Sequence, residues 1–249
     1  MVADVRRALE ASSQIGALIA EPIRSNCHVP PSWLWPQIRQ LCDKHGVLLI
    51  FDEIPSGLGK TGRFFAFEHV GAKPDAVVLG KALGGGILPI AAVIADARFN
   101  LAPELSLGHY THEKNPVTAR AALTTIAIIE RDGLIARAAQ LDAIIRAEIA
   151  RMREKTPLVD HVRGKGLLLA IGLDPRHFSE TRLPIAAVIG LLRDHGLSTT
   201  AKDPSSFGLS PPLTISDADL DWVLVRLGEA MAAARASIGV PPSTKSKMP

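Results

Sequence analysis

The 249-residue chain lacks most of the features that mark a compartment, a metal or a polymer partner. It has two cysteines, Cys27 and Cys42, with no metal-ligand spacing. That usage points to reduced, structural thiols in a cytoplasmic protein. No apolar run reaches the ~18 residues that a bilayer span requires. The start of the chain carries charges where a signal peptide has an apolar block. Net charge is only +3, part of it from the lysine-bearing tail STKSKMP, and no basic stripe is present. Membrane and nucleic acid are therefore poor candidates for partners. No internal repeat is found. What remains is 47% hydrophobic and 21% charged, a composition for a globular chain of one or two domains with real cores.

The apolar runs set the organisation. Residues 16–20 (GALIA), 47–51 (VLLIF), 76–79 and 90–94 read as buried strands. Between the first two, residues 32–45 read as a helix: Leu34, Ile38, Leu41 and Cys42 share a face, and Gly46 stops it. Strand, helix and strand with continuous apolar strands predict a mostly parallel α/β sheet, whose ligands sit at the carboxyl ends of the strands. Glu21, Asp52 and Lys81 all fall at or just past such ends. Asn115-Pro116 opens a helix that Gly133 closes. Beyond it come a helix with Leu134, Ala138, Leu141, Ile145, Ile149 and Met152 in register, strand candidates at 158–162 and 166–172, and a helix at 184–192. A last helix is opened by Ser216, with Asp219 three residues on. The expected division is a large domain over 1–132, a smaller α+β domain over 133–240 and a disordered tail over 241–249.

One stretch, LGKALGGG at 79–86, sets a lysine between an apolar strand and three glycines. A phosphate loop is excluded by spacing. In GLGKTGR (57–63) the Walker pattern would need glycine at position 54, which is Ile54, and in LGKALGGG alanine follows the lysine. The strand before GLGKTGR also ends in Asp52-Glu53, which would repel phosphate. His109, His112 and Glu113 lie close together in HYTHE, but no further cluster supports a metal, and a loop before a capped helix more often serves a ligand or the cap. Asp52 and Glu21 each have two readings, a helix cap or buried ion pair, or a fixed anion facing a pocket. Lys81 is either a snorkelling surface lysine or an amine partly desolvated by its apolar flank. Desolvation makes the neutral, nucleophilic form accessible, and such lysines form Schiff bases with carbonyls. A carboxylate at one strand end and an amine at another, with glycines leaving room beside the amine, suit pyridoxal phosphate.

IAEPI, LCDKHGVLLIFDEIPSGLGKTGRFFAFEHVGAKPDAVVLGKALGGGILP, THEKNPVTARAAL and VRGKGLLLAIGL resemble, in order, the blocks of class III pyridoxal-phosphate aminotransferases. The resemblance covers residues 17–239. It implies part of the large domain of the fold-type I transferases followed by the small C-terminal α+β domain. It implies that Lys81 is the Schiff-base lysine, that Asp52 pairs with the pyridinium nitrogen and that Ile54 packs on the ring. Thr111 is implied to bind the cofactor phosphate across the interface of a homodimer with shared sites. Glu21, Glu53 and Gly208 fall on the substrate side. The implied reaction transfers an amino group from an amine or ω-amino acid to a keto acid.

Three departures accompany the resemblance. Family members carry a long N-terminal half before the EP strand, so the chain is expected to start in mid-domain, with no aromatic before Trp33 to stack on the ring. Pro55 stands where most members have glutamine. Gly208 stands where many members hold the substrate carboxylate with arginine. The last two shift weight toward a lyase of the same fold that releases ammonia or phosphate. The first raises a non-catalytic remnant as a further alternative.

Overall fold

The computed structural model describes residues 1–102, 104–105, 113–178 and 183–239. Thr111, His109, His112 and the tail over 241–249 lie outside the described residues. The chain divides into two compact units, Met1–Ser25 with Val29–Ile135, and Asn26–His28 with residues from Ala136 onward.

In the first unit a short helix, α1 (Val2–Ala11), precedes strand β1 (Ala17–Ala20). Helix α2 (Leu34–His45) follows and leads into β2 (Leu48–Asp52). The apolar face expected of α2 is the one it buries: Leu34, Ile38, Leu41 and Cys42 are all inside. Gly46 closes the helix at φ +66°, its N–H donating to the carbonyls of Cys42 and Asp43, a left-handed cap that glycine adopts without a Cβ penalty. Strands β3 (Ala76–Leu79) and β4 (Ala92–Ala95) complete a sheet ordered β1-β2-β3-β4. The first three strands are parallel and β4 runs antiparallel to β3. No helix intervenes between β3 and β4, only a 3₁₀ turn at Lys81–Gly84 and a loop, so the chain returns along β3 instead of crossing over. Trp35 of α2 meets the Phe51 ring edge-on at 4.8 Å and sends its indole N–H to the Pro22 carbonyl at 2.9 Å. Asp75 pins the start of β3, accepting from Leu49 N at 2.8 Å and Arg39 Nη1 at 2.7 Å. Helix α3 (Pro116–Arg131) is capped by Asn115, whose Oδ1 accepts from Val117 N at 2.9 Å.

The second unit is built from α4 (Leu134–Lys155), β5 (Val159–Lys165), β6 (Leu168–Leu173), α5 (Ile185–Asp194), β7 (Ala201–Asp203), β8 (Ser206–Leu209) and α6 (Asp217–Ser237). Its sheet is antiparallel, ordered β5-β6-β8-β7. Strand β6 is buried along its whole length. Leu141, Ile145 and Ile149 of α4, Val188 of α5 and Leu227 and Met231 of α6 pack with Leu169, Ile171 and Phe207 into one core. Ser216 caps α6, accepting from Asp219 N at 3.0 Å while its hydroxyl donates to the Asp219 carboxylate at 2.6 Å. Helix α1 and the strands β7 and β8 are not evident from apolar periodicity. They are short, and Ala201–Asp203 carries no apolar alternation. No helix among the described residues is long and apolar enough to cross a membrane.

Candidate active site

Strands β2 and β3 lie side by side and parallel, with Asp52 opposite Val78. The last residue of β2 is Asp52, and Lys81 follows two residues after the end of β3. A carboxylate and an amine therefore emerge from neighbouring strands at the same, carboxyl, end of the sheet, the usual ligand side of such sheets.

Each group is held by its own turn. Asp52 is half-buried, and its Oδ1 accepts from Ile54 N at 3.0 Å, fixing the carboxylate at the strand exit. Its other oxygen, Oδ2, has no hydrogen bond or ion pair among the described residues. Lys81 opens the 3₁₀ turn Lys81–Gly84 and is exposed. Its Nζ likewise has no partner among the described residues, and it does not pair with Asp52. The lysine backbone sits at φ +45°, a left-handed conformation that costs a residue with a Cβ ~1–2 kcal/mol. The turn is braced from behind by α3, against which it packs.

The two turns also touch. A Cβ placed on Gly80 would lie 3.3 Å from Ile54 Cγ1 and 3.4 Å from its Cγ2. Ile54 thus rests against the residue preceding Lys81 and forms an apolar shelf between the carboxylate turn and the amine turn. The three glycines after the lysine have a different cause from the one expected. A Cβ on Gly84 would meet Ile90 Cγ2 at 3.2 Å, and one on Gly85, at φ +69°, would meet Thr125 Oγ1 of α3 at 3.1 Å. Of the three, only Gly86 faces open space. Gly84 and Gly85 serve close packing of the lysine turn against Ile90, in the loop before β4, and against α3, and they do not clear room for a flat ligand.

Glu53 departs from its expected place on the substrate side. It is 1% exposed, and its two carboxylate oxygens accept from Ala66 N and Phe67 N at 2.7 Å each. Burial pushes its pKa up to about 7, against the two backbone bonds, which favour the charged form. Glu53 is a clamp: it ties the far end of the loop that includes GLGKTGR back to the exit of β2. Inside that loop Leu58 (φ +57°), Gly59 (+88°) and Gly62 (+81°) turn the chain tightly, and Ser56, Leu58 and Thr61 are buried. The alternation of a strand was the signal for this. Consecutive residues point to opposite sides, so Asp52 and Glu53 cannot both face one pocket. Glu21 is half-buried, and its Oε2 accepts from Ser25 N at 3.0 Å and Ser25 Oγ at 3.3 Å, which fixes the turn after β1. Gly208 is buried in β8 of the second unit. Glu113 is exposed beside Lys114, at 3.7 Å. No group of three or more His, Cys, Asp or Glu placed to hold a metal occurs among the described residues.

The donor set suits an aromatic aldehyde with a basic ring nitrogen. A carboxylate oxygen without a partner among the described residues can hold a protonated nitrogen, an amine likewise unpaired among them can attack a carbonyl, and an apolar shelf lies between them for a flat face. Pyridoxal phosphate has these features, and Asp52, Ile54 and Lys81 fit its ring end.

Comparison with known proteins gives the same direction. The model of the family described as aminotransferase class-III matches residues 1–231. An (R)-1-hydroxy-2-aminoethylphosphonate ammonia-lyase of Vibrio splendidus is 39% identical over 227 residues, covering 90% of this chain and 47% of the relative. An acetylornithine aminotransferase of Mycobacterium tuberculosis is 40% identical over 215 residues, covering 85% and 51%. Among solved structures, the ornithine aminotransferase of Toxoplasma gondii, described with partial occupancy of PLP at its active site, superposes with a TM-score of 0.83 at 30% identity, covering 95% of this chain and 55% of its own. The chain spans about half the length of the curated relatives it matches.

Proposed function

The chain belongs to the class III aminotransferases, a pyridoxal-phosphate-dependent family, and from that premise we propose that its two strand-end groups serve amino-group transfer from an amine or ω-amino acid to a keto acid. The observation that carries the reading is the placement, at the same end of adjacent parallel strands, of Asp52 Oδ2 and Lys81 Nζ, neither with a partner among the described residues. Pyridoxal phosphate, when bound, supplies an electron-withdrawing ring that stabilises negative charge on the substrate carbon. Asp52 would hold the ring nitrogen protonated through Oδ2. Ile54 would support the ring face from its position against Gly80. Lys81 Nζ would attach the cofactor and, once released by the incoming amine, move a proton at the substrate carbon as a general base. The strained backbone at Lys81 and the packing of its turn on α3 would keep that amine aimed while it exchanges partners. Thr111 would hold the phosphate of a neighbouring subunit's site, which makes the working form a homodimer. The buried thiols Cys27 and Cys42 suit a cytoplasmic location. Residues 1–132 and 133–240 would be the large-domain and small-domain portions.

A second reading has specific support. Pro55 offers no side-chain hydrogen bond beside Asp52, Gly208 offers no carboxylate clamp, and the Vibrio splendidus relative is an ammonia-lyase. Ammonia released without a keto acceptor would identify the lyase; dependence on a keto acid would identify the transaminase.

The test of the cofactor reading is direct. Folded protein is mixed with pyridoxal phosphate, reduced with borohydride, digested and mapped. The label is expected on Lys81, and Lys81→Ala should remove it. A label distributed over surface lysines with Lys81 unmodified would sink the assignment.

A further inference from the structure

A cavity of about 530 Å³ lies wholly within the second unit, between the loop before β7, the strands β7 and β8, and Trp222 of α6. Its charge is one-sided. Lys202 is the cation on its wall, and no carboxylate lines it. The cavity beside β3, by contrast, carries Asp43, Asp75 and Asp96, and the one between α4 and α6 carries Glu148 and Glu229. Lys202 is half-buried and has no hydrogen bond or ion pair among the described residues. The adjacent carboxylate, Asp203, is already committed: Arg163 Nη2 holds its Oδ2 at 2.6 Å, and Ser205 N holds its Oδ1 at 2.9 Å.

The lysine is placed by a glycine. A Cβ on Gly208 would lie 2.6 Å from Lys202 Cε and 3.5 Å from its Nζ. The stem of Lys202 therefore crosses the space that any side chain at 208 would occupy. The neighbouring loop is tied to the same point: the Thr199 hydroxyl donates to the Gly208 carbonyl at 2.6 Å, and Gly208 N donates to the Thr200 carbonyl at 3.0 Å. Ser198, Thr200 and Ser210 line the same cavity, whose remaining wall is largely apolar.

We propose that Lys202, seated over Gly208, is the charge of a binding site for a small organic oxyanion of the phosphonate or phosphate type. The Lys202 side chain is held at the wall with no ion-pair partner among the described residues, so its charge is available to an anion entering a cavity that no carboxylate lines. The head group follows from the donor. A phosphonate or phosphate head presents three acceptor oxygens and up to two negative charges, enough to meet the lysine and neighbouring hydroxyl-bearing residues together, whereas a carboxylate presents two oxygens and one charge. The apolar wall fits a short aliphatic chain behind the head group. The site lies on the second unit alone; it rests on the reading of Gly208 as a substrate-side position, and its binding test is separate from the role of Lys81.

Isothermal titration of the full chain with propylphosphonate and with butyrate tests it. Propylphosphonate should bind more tightly than butyrate. Lys202→Met should weaken propylphosphonate by about tenfold or more, the scale of a lost charge-assisted contact, while Lys202→Arg should stay within about threefold of the parent. Gly208→Ala should weaken it as well, because the new methyl displaces the lysine stem without removing its charge. Circular dichroism of each variant separates these effects from misfolding, and Lys202→Arg remains decisive if Gly208→Ala unfolds. No binding by the folded parent, equal binding by Lys202→Met, or tighter binding of butyrate would overturn the proposal.

Discussion

The two units close their sheets to different degrees. Strand β6 of the second unit is buried at every position, and its sheet shares one continuous core with three helices. In the first unit β2 and β3 bury alternate residues, while β1 and β4 present apolar side chains to solvent: Ile19 is 62% exposed and Val93 68%. A parallel sheet ordinarily has both faces covered. The second unit therefore has the resources for cooperative stability by itself, and the first draws its order from one face and a few clamps. The units divide the chemistry in the same way. The first holds its amine and carboxylate in strained or clamped turns, and the second holds a lysine over a glycine in a well-packed sheet.

The largest expected effect tests the core difference. Phe207→Ala should cost the second unit ~3–5 kcal/mol, read by urea unfolding, because its ring sits within the shared core. The same experiment on Ile19→Thr should change stability by less than ~0.5 kcal/mol, since that side chain already faces water. A large loss at Ile19 would mean that the open face is covered in solution. Hydrogen exchange gives an independent reading: amides of β6 and β8 should exchange at the global rate, and those of β1 and β4 through faster local opening.

The pH response should separate the units in opposite directions. Glu53 has a folded pKa raised to about 7, above its ordinary carboxyl value. Its stabilising contribution is complete below about pH 4, falls as pH rises, and is lost above about 7. Asp174 in the second unit is held down to about 2, foremost by the Arg176 side chain bonded to its carboxylate. Its contribution is present above about pH 4 and is lost as pH falls toward 2. Glu53→Gln should flatten the neutral-pH slope of the first unit, and Asp174→Asn the acid limb of the second, each followed by thermal melts across pH. If Glu53→Gln leaves the slope between pH 5 and 7 unchanged, the clamp is not the titrating group.

The smallest comparison is between helix caps. Asn115→Ala at α3 and Ser216→Ala at α6 should each cost ~1 kcal/mol. The Asn115 variant should also loosen the turn of Lys81, which α3 braces. A slower or less selective borohydride label at Lys81 would show it, whereas Ser216→Ala should leave that label alone.

Most of the scaffold was legible because it obeys local rules. The apolar face of α2, the Gly46 stop, the Asn115-Pro116 start and the Ser216 cap are all written within a few residues of where they act. The strand ends bearing Asp52 and Lys81 were legible for the same reason. What escaped depends on pairing across the chain. The antiparallel β4 follows from the lack of a crossover helix. The Glu53 clamp needs partners thirteen and fourteen residues away. Gly84 and Gly85 have their reason in Ile90 and Thr125, and the contact of Lys202 with Gly208 exists only once β7 and β8 pair.

The left-handed backbone at Lys81 also has a consequence for how this sequence can change. Glycine there would relieve ~1 kcal/mol of backbone strain and improve the fold. It would also delete the amine. A library selected only for heat resistance should therefore drift toward glycine or asparagine at position 81, and one selected for covalent capture of an aldehyde should keep lysine. At this codon, stability and reactivity select different residues.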